Sequence, residues 1–259
     1  MEMLSATTKM DIGDPSRSPT TVSDALVAHS PLFVTPDLDG WLGPPSSHAS
    51  HNGLLVQRPF LGQWDAYQAD IDAADARECL EMGIIAQVKV SDNFANELQA
   101  AIGGILTRAA LPPLLSKQIF SDACHIGRAL AAMTCTSAGV LEVKLEVAGA
   151  NICKRWHQDN FVGRALTSYT GVVGTEFTRD ENVDFWELNN CGNNDCILRN
   201  KDDVETIDVG DIIFMKGKLY PGGKALVHRS PAQRFLPDGR VLNRLMLKLD
   251  IPTRSDGLW

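Results

Sequence analysis

Positive charge is in deficit in this sequence. Its 259 residues carry 24 Lys and Arg against 32 Asp and Glu, a formal net charge of -8. Proteins that grip phosphate backbones present a basic face, so nucleic acid is not an expected partner. No apolar run approaches the roughly 20 residues that cross a bilayer, and the first residues lack the basic-then-apolar order of a secretory signal. The expectation is a soluble, intracellular, cytoplasmic protein with no membrane partner. Cysteine is sparse too: Cys79, Cys124, Cys135, Cys153, Cys191 and Cys196 are spread too thinly for a small secreted disulfide scaffold and read as reduced thiols. Cys191 and Cys196 flank the turn-rich Gly192-Asn193-Asn194-Asp195, but no second pair at finger spacing completes a zinc finger.

What is present falls into three stretches. Residues 1–50 are rich in Ser, Thr, Pro and Asp without a sustained period, which predicts a disordered tail, with Leu32, Phe33 and Trp41 as points of contact with the domain. Residues 51–259 read as a single catalytic domain. Its first part, 51–136, is expected to be mainly helical. Phe94, Leu98, Ile102 and Ile105 recur at intervals of three and four, and Leu114, Leu115, Ile119, Ala123 and Ile126 follow the Pro112-Pro113 break, two amphipathic helices. From 137 to 252 short β segments take over: 140–147, 153–157, 164–171, 196–199, 211–216, 226–229 and 241–251, separated by Asn, Asp and Gly clusters. Helices followed by strands predict an α+β fold, a double-stranded β-helix of the jelly-roll or cupin-like kind buttressed by N-terminal helices.

The chemistry concentrates at His157-Gln158-Asp159 and at the remote His228 in Val227-His228-Arg229-Ser230-Pro231. On a strand, residues two apart share a face, so His157 and Asp159 can reach one ion while Gln158 points away. A second histidine must then arrive from a segment distant in sequence and adjacent in space. Two His and one carboxylate form the facial triad that holds Fe(II) and leaves positions open, although Mn(II), Zn(II) and Ni(II) accept the same donors. His29, His48, His51 and His125 have no such company and read as structural. Cys153 lies four residues before His157; the bland reading is a small buried hydrophobe, and the sharper one a fourth ligand that would close the site around zinc.

The stretch Arg244-Leu245-Met246-Leu247-Lys248-Leu249-Asp250-Ile251 alternates an apolar face with Arg, Met, Lys and Asp. Either the polar face meets water, or Arg244 points into the barrel. A buried guanidinium requires an acidic partner, which it binds through two parallel hydrogen bonds. A dicarboxylic co-substrate such as 2-oxoglutarate would supply it, with Lys248 as the alternative anchor. Arg164, Tyr169 and Asn160 are further pocket candidates, and Lys216 to Lys224 is a candidate lid.

The stretches Cys153 to Asp159, Arg164 to Gly171, Gly174-Thr175-Glu176-Phe177, Lys216-Gly217, Val227 to Pro231 and Arg244 to Asp250 together resemble the domain-of-unknown-function family 1826. More distantly, the ordered set His-x-Asp, His, Arg is similar to the fingerprint of Fe(II)/2-oxoglutarate-dependent oxygenases. That resemblance implies His157, Asp159 and His228 as ligands and catalytic centre, Arg244 for 2-oxoglutarate, O2 as oxidant, and a small organic substrate oxidised at a C–H bond. Two other readings use the same residues: a zinc-binding or zinc-handling protein including Cys153, and a cupin-type metal enzyme that needs no keto acid.

Overall fold

The computed structural model describes residues 30–43, 47–59, 67, 71, 80–134, 139–149 and 152–252. Pro31–Trp259 forms one compact unit. Most of the expected tail, together with Trp64, Cys79 and Cys135, lies outside the described residues. Within residues 30–56 the expectation of a tail and of helix is corrected. Leu32–Thr35 is a strand (β1), a 3₁₀ helix at Leu38–Leu42 buries Trp41, and Gly53–Val56 is a second strand (β2). Its four residues are all buried. Ile84–Lys89 (β3) is likewise a strand inside the stretch expected to be helical.

The two predicted helices are Phe94–Ala109 (α1) and Pro113–Thr134 (α2). In α1 the buried residues are Phe94, Leu98, Ile102, Ile105 and Ala109, the three-and-four spacing that puts one stripe on the core. It stops at Ala110, which takes a left-handed φ of 50° and whose N–H donates to the Leu106 carbonyl. Proline at the first position of α2 costs nothing, because no intrahelical donor is needed there. Leu114 departs from the predicted stripe and is exposed, while Leu115, Ile119, Ala123, Ile126 and Leu130 are buried.

The remaining elements are Val140–Ala148 (β4), Gly163–Ser168 (β5), Glu176–Thr178 (β6), helices Phe185–Asn190 (α3) and Asn194–Ile197 (α4), Glu205–Thr206 (β7), Ile212–Lys216 (β8), Val227–Arg229 (β9) and Arg244–Ile251 (β10). The expected strand at 196–199 is therefore corrected: Asn193 caps a helical turn there by accepting from the Asp195 N–H. Seven strands pair in the order β1-β2-β8-β5-β10-β4-β3, and three in the order β7-β6-β9. All of these pairs are antiparallel except β1 with β2.

The large sheet separates two cores. Leu245, Leu247, Leu249 and Ile251 of β10, with Leu141, Val143, Leu145 and Val147 of β4, share a cluster with the buried stripes of α1 and α2. The opposite face contributes Leu166, Ile213, Met215 and Met246 to a second cluster with Phe177 of β6 and Leu226 beside β9. The period-two alternation of β10 thus sends its aliphatic side to the helices and its Arg, Met, Lys and Asp side toward the small sheet. Arg244, Met246 and Asp250 are buried, so this is not a strand with one wet face. A third cluster, holding Trp156, Leu188, Ile197 and Val227, packs α3 and α4 behind the small sheet.

Two buried polar anchors fix the frame. Lys216, only 1 % exposed, donates through Nζ to the carbonyls of His48 and His51 at 2.9 and 2.6 Å. This ties the segment before β2 to β8 and removes Lys216 from any mobile lid. Tyr169 donates to Asp122 of α2 at 2.8 Å, and Arg58 reaches the other oxygen of that carboxylate at 2.8 Å. Tyr169 therefore belongs to the helix-facing core and not to the cavity between the sheets.

Candidate metal centre

His157 does not sit in a regular strand, which corrects the expected strand at 153–157. It forms an isolated antiparallel bridge with His228, each N–H donating to the other's carbonyl at 3.0 Å. Residues directly opposite in an antiparallel pair project side chains to the same face. That face is the cavity. His228 is in turn opposite Phe177 of β6, so the small sheet gains an extra edge carrying one histidine next to a strand carrying the other.

The imidazole centroids lie 4.4 Å apart. Asp159 closes the group, with Oδ1 3.7 Å from His157 Nε2 and Oδ2 3.6 Å from His228 Nε2. One donor atom from each of the three residues falls within 4.8 Å of the others. Both rings are oriented from behind: Nδ1 of His157 lies 2.8 Å from the Arg155 carbonyl and Nδ1 of His228 3.1 Å from the Leu226 carbonyl. An Nδ1–H donated to a carbonyl fixes the tautomer that leaves Nε2 with a free lone pair, the arrangement that supports metal-bound histidines. Burial also holds the His228 pKa down to about 4, so its ring is neutral and able to ligate at neutral pH.

Arg164, on β5, organises the carboxylate. It grips Asp250 of β10 through Nε and Nη2 at 2.6 and 2.8 Å, and its Nη1 donates to Asp159 Oδ1 at 3.2 Å. Nη1 also lies 3.0 Å from Oδ2, but off the donor direction, so buried Oδ2 has no hydrogen-bond partner. That acceptor lies toward His228 Nε2, while Oδ1 lies toward His157 Nε2. A buried carboxylate oxygen without a hydrogen bond is costly, and the mixed nitrogen and oxygen donor set suits a first-row divalent metal. The sequence marks Arg164 only as a wall residue; its tie to Asp250 requires β5 to lie beside β10.

His157 and His228 open on a cavity of about 400 Å³, also lined by Lys144, Glu146, Cys153, Arg164, Met246 and Lys248, a volume in the range of small-molecule sites. Glu146 takes ion pairs from Lys144 at 2.5 Å and from Lys248; the cations hold its pKa below the usual value against the opposing effect of burial. Arg244 does not line this cavity but a small recess beside it, and Ala148 and Ile152 border both. Its Nη1 and Nη2 are buried with no hydrogen-bond partner, and burial lowers its pKa to about 10. Cys153 is exposed, contrary to the buried reading. Its Sγ lies 3.9 Å from His157 Nδ1, the ring edge turned away from the cluster, so it does not join the donor set. Asn160 is exposed to solvent.

The sequence places the chain in a family whose model covers most of its length. It belongs to DUF1826, described as a protein of unknown function, which matches residues 49–250. No curated protein matches it. Among solved structures it is similar to the dioxygenase for auxin oxidation in rice, at 10 % identity over 88 % of this chain and 84 % of that one, TM-score 0.47. It is similar also to the 2-oxoglutarate complex of dioxygenase for auxin oxidation 1 from Arabidopsis thaliana, at 8 % identity over 89 % and 95 %, TM-score 0.46. A third is the Fe(II)/(alpha)ketoglutarate-dependent dioxygenase TqaL, at 11 % identity over 85 % and 89 %, TM-score 0.47. Among the described residues, no helix is long and apolar enough to cross a membrane.

Proposed function

We propose that this chain is a non-heme Fe(II)- and 2-oxoglutarate-dependent oxygenase acting on a small organic substrate, built on a double-stranded β-helix. In that reading β4, β10, β5 and β8 form one wall, and the His157 edge, β9, β6 and β7 the other. The observation that carries it is the convergence of His157, Asp159 and His228 with both Nδ1 atoms held by carbonyls, leaving each Nε2 available beside one oxygen of the Asp159 carboxylate.

Three protein donors on one side of an ion leave its other positions open to co-substrate and O2. When bound, Fe(II) with 2-oxoglutarate supplies oxidative decarboxylation of the keto acid coupled to oxidation of a C–H bond. The protein's own part is positioning. Arg164 fixes the Asp159 carboxylate, the two backbone carbonyls fix the rings, and Met246, Leu166 and Met215 give the cavity an apolar wall that limits water. We assign the distal carboxylate of 2-oxoglutarate to Arg244, because its guanidinium is buried and lacks a hydrogen-bond partner, whereas Lys248 is already paired with Glu146.

The test is anaerobic titration of the apo protein with Fe(II) and then 2-oxoglutarate, following the weak visible metal-to-ligand charge-transfer band of a chelated keto acid. A saturable band that is lost in His157→Ala, Asp159→Ala and Arg244→Ala is the expected result. Iron binding without a band would overturn the co-substrate and leave a cupin-type metal enzyme. Unchanged metal content in both ligand variants would overturn the triad.

A further inference from the structure

The small outer layer behind β9 contains a second group of metal-ligand side chains. Glu187 and Cys191 stand four apart at the end of α3, so they share one helix face. The chain then reverses through Gly192, whose φ of 71° is a left-handed conformation, and Asn193 caps α4. This reversal returns Cys196 to Glu187 and Cys191, with one donor atom from each within 4.8 Å of the others. Both cysteines are exposed and form no disulfide.

The loop between the two cysteines is clamped to the segment that presents His157. Asn194 accepts from the Trp156 N–H at 2.9 Å and donates to the Lys154 carbonyl at 2.8 Å. Arg155 crosses the loop at Gly192, where a Cβ would collide with its guanidinium, and donates to the Leu188 carbonyl at 3.2 Å. The same Arg155 supplies the carbonyl that orients His157 Nδ1. Whatever fixes residues 187–196 therefore fixes the backbone behind that imidazole.

We propose that Glu187, Cys191 and Cys196 form a second, structural metal site that takes a thiophilic divalent cation of the zinc type and braces the segment carrying His157. Two sulfurs and one carboxylate are a zinc-type donor set, with water able to fill the fourth tetrahedral position. Bonds of about 2.0–2.3 Å place tetrahedral donors about 3.5 Å apart, so side-chain rotations closing the group by about 1 Å complete it. Binding releases the two thiol protons to solvent and replaces the mutual repulsion of two thiolates and Glu187 with attraction to one dication.

The test uses the reduced, metal-free full-length chain, titrated with Cd(II) under anaerobic conditions while ultraviolet thiolate-to-metal charge transfer is recorded. One saturable equivalent is expected. It should vanish in Cys191→Ser and in Cys196→Ser, weaken about 10-fold or more in Glu187→Gln, and persist in Cys153→Ser and in Asp159→Ala, which separates it from the triad. Hydrogen exchange at residues 152–157 should slow when Cd(II) is added to the parent chain and not when it is added to Cys191→Ser. A parent chain without the band, or a band surviving in the Cys191→Ser/Cys196→Ser double variant, overturns the site. A band with no slowing at 152–157 overturns the bracing.

Discussion

Replacing Arg164 with Met keeps the stem and removes the charge that two buried carboxylates share. Asp250 is 4 % exposed and Asp159 9 %. Asp250 would lose both of its charge-assisted hydrogen bonds and Asp159 its one from the same guanidinium. Breaking a buried ion pair from one side costs about 3–5 kcal/mol, because the stranded charge remains desolvated. For a domain of this size each kcal/mol moves Tm by about 2–4 °C, so the apo variant should melt about 6–20 °C below the parent. Removing the second partner as well, in Arg164→Met/Asp250→Leu, takes away one stranded carboxylate and should recover at least about 1–2 kcal/mol. Fe(II) affinity should stay depressed about 10–100-fold in both variants, since Asp159 has lost its orienting donor in each. Thermal melts with urea titrations and an Fe(II) isotherm read the two effects separately. A single variant within 1 kcal/mol of the parent, or a double variant no more stable than the single one, would refute the account of Arg164 as the shared clamp.

Arg244→Met should leave the apo protein as stable as the parent or more so, by up to about 3 kcal/mol, because it removes a buried guanidinium without a hydrogen-bond partner; the rise in Tm that 2-oxoglutarate gives the iron-loaded parent should be absent, as differential scanning fluorimetry will show. Asp211, buried beside β8, has its pKa raised to about 6, chiefly by burial. A raised carboxyl pKa stabilises the fold at low pH and loses that contribution as pH climbs through 6, so the unfolding free energy from urea titrations should lose about 1–3 kcal/mol from this group between pH 4 and 7, a loss absent in Asp211→Asn. Leu249→Ala, at a position with 0 % exposure between β4 and the helices, should cost about 2–5 kcal/mol by leaving a cavity. Cys153→Ala should leave Fe(II) affinity unchanged in equilibrium titration, since its sulfur lies on the Nδ1 side of His157.

The two helices and the faces of β10 were legible because their signals are local. A three-and-four spacing in Phe94 to Ile105, a Pro-Pro break, and an alternation of Leu with Arg, Met, Lys and Asp each constrain a short backbone segment without reference to anything distant. The three candidate ligands could be named for a similar reason, since few residue types carry the chemistry and only one His-x-Asp occurs near a plausible β segment. Other features depended on partners remote in sequence. Gly53–Val56 is apolar on both faces and too short to show a period; it becomes a strand by pairing with β8, some 160 residues later. His157 is held opposite His228 by two backbone hydrogen bonds, not by membership of a strand that its own neighbours could form. Composition, charge, helix periodicity and the donor set were thus determined by the sequence itself. Which oxygen of Asp159 is left without a donor, which cation on β10 is unpaired, and the return of Cys196 to Glu187 and Cys191 were decided only by tertiary structure, because hydrogen-bond satisfaction and burial belong to pairs of residues that the fold brings together.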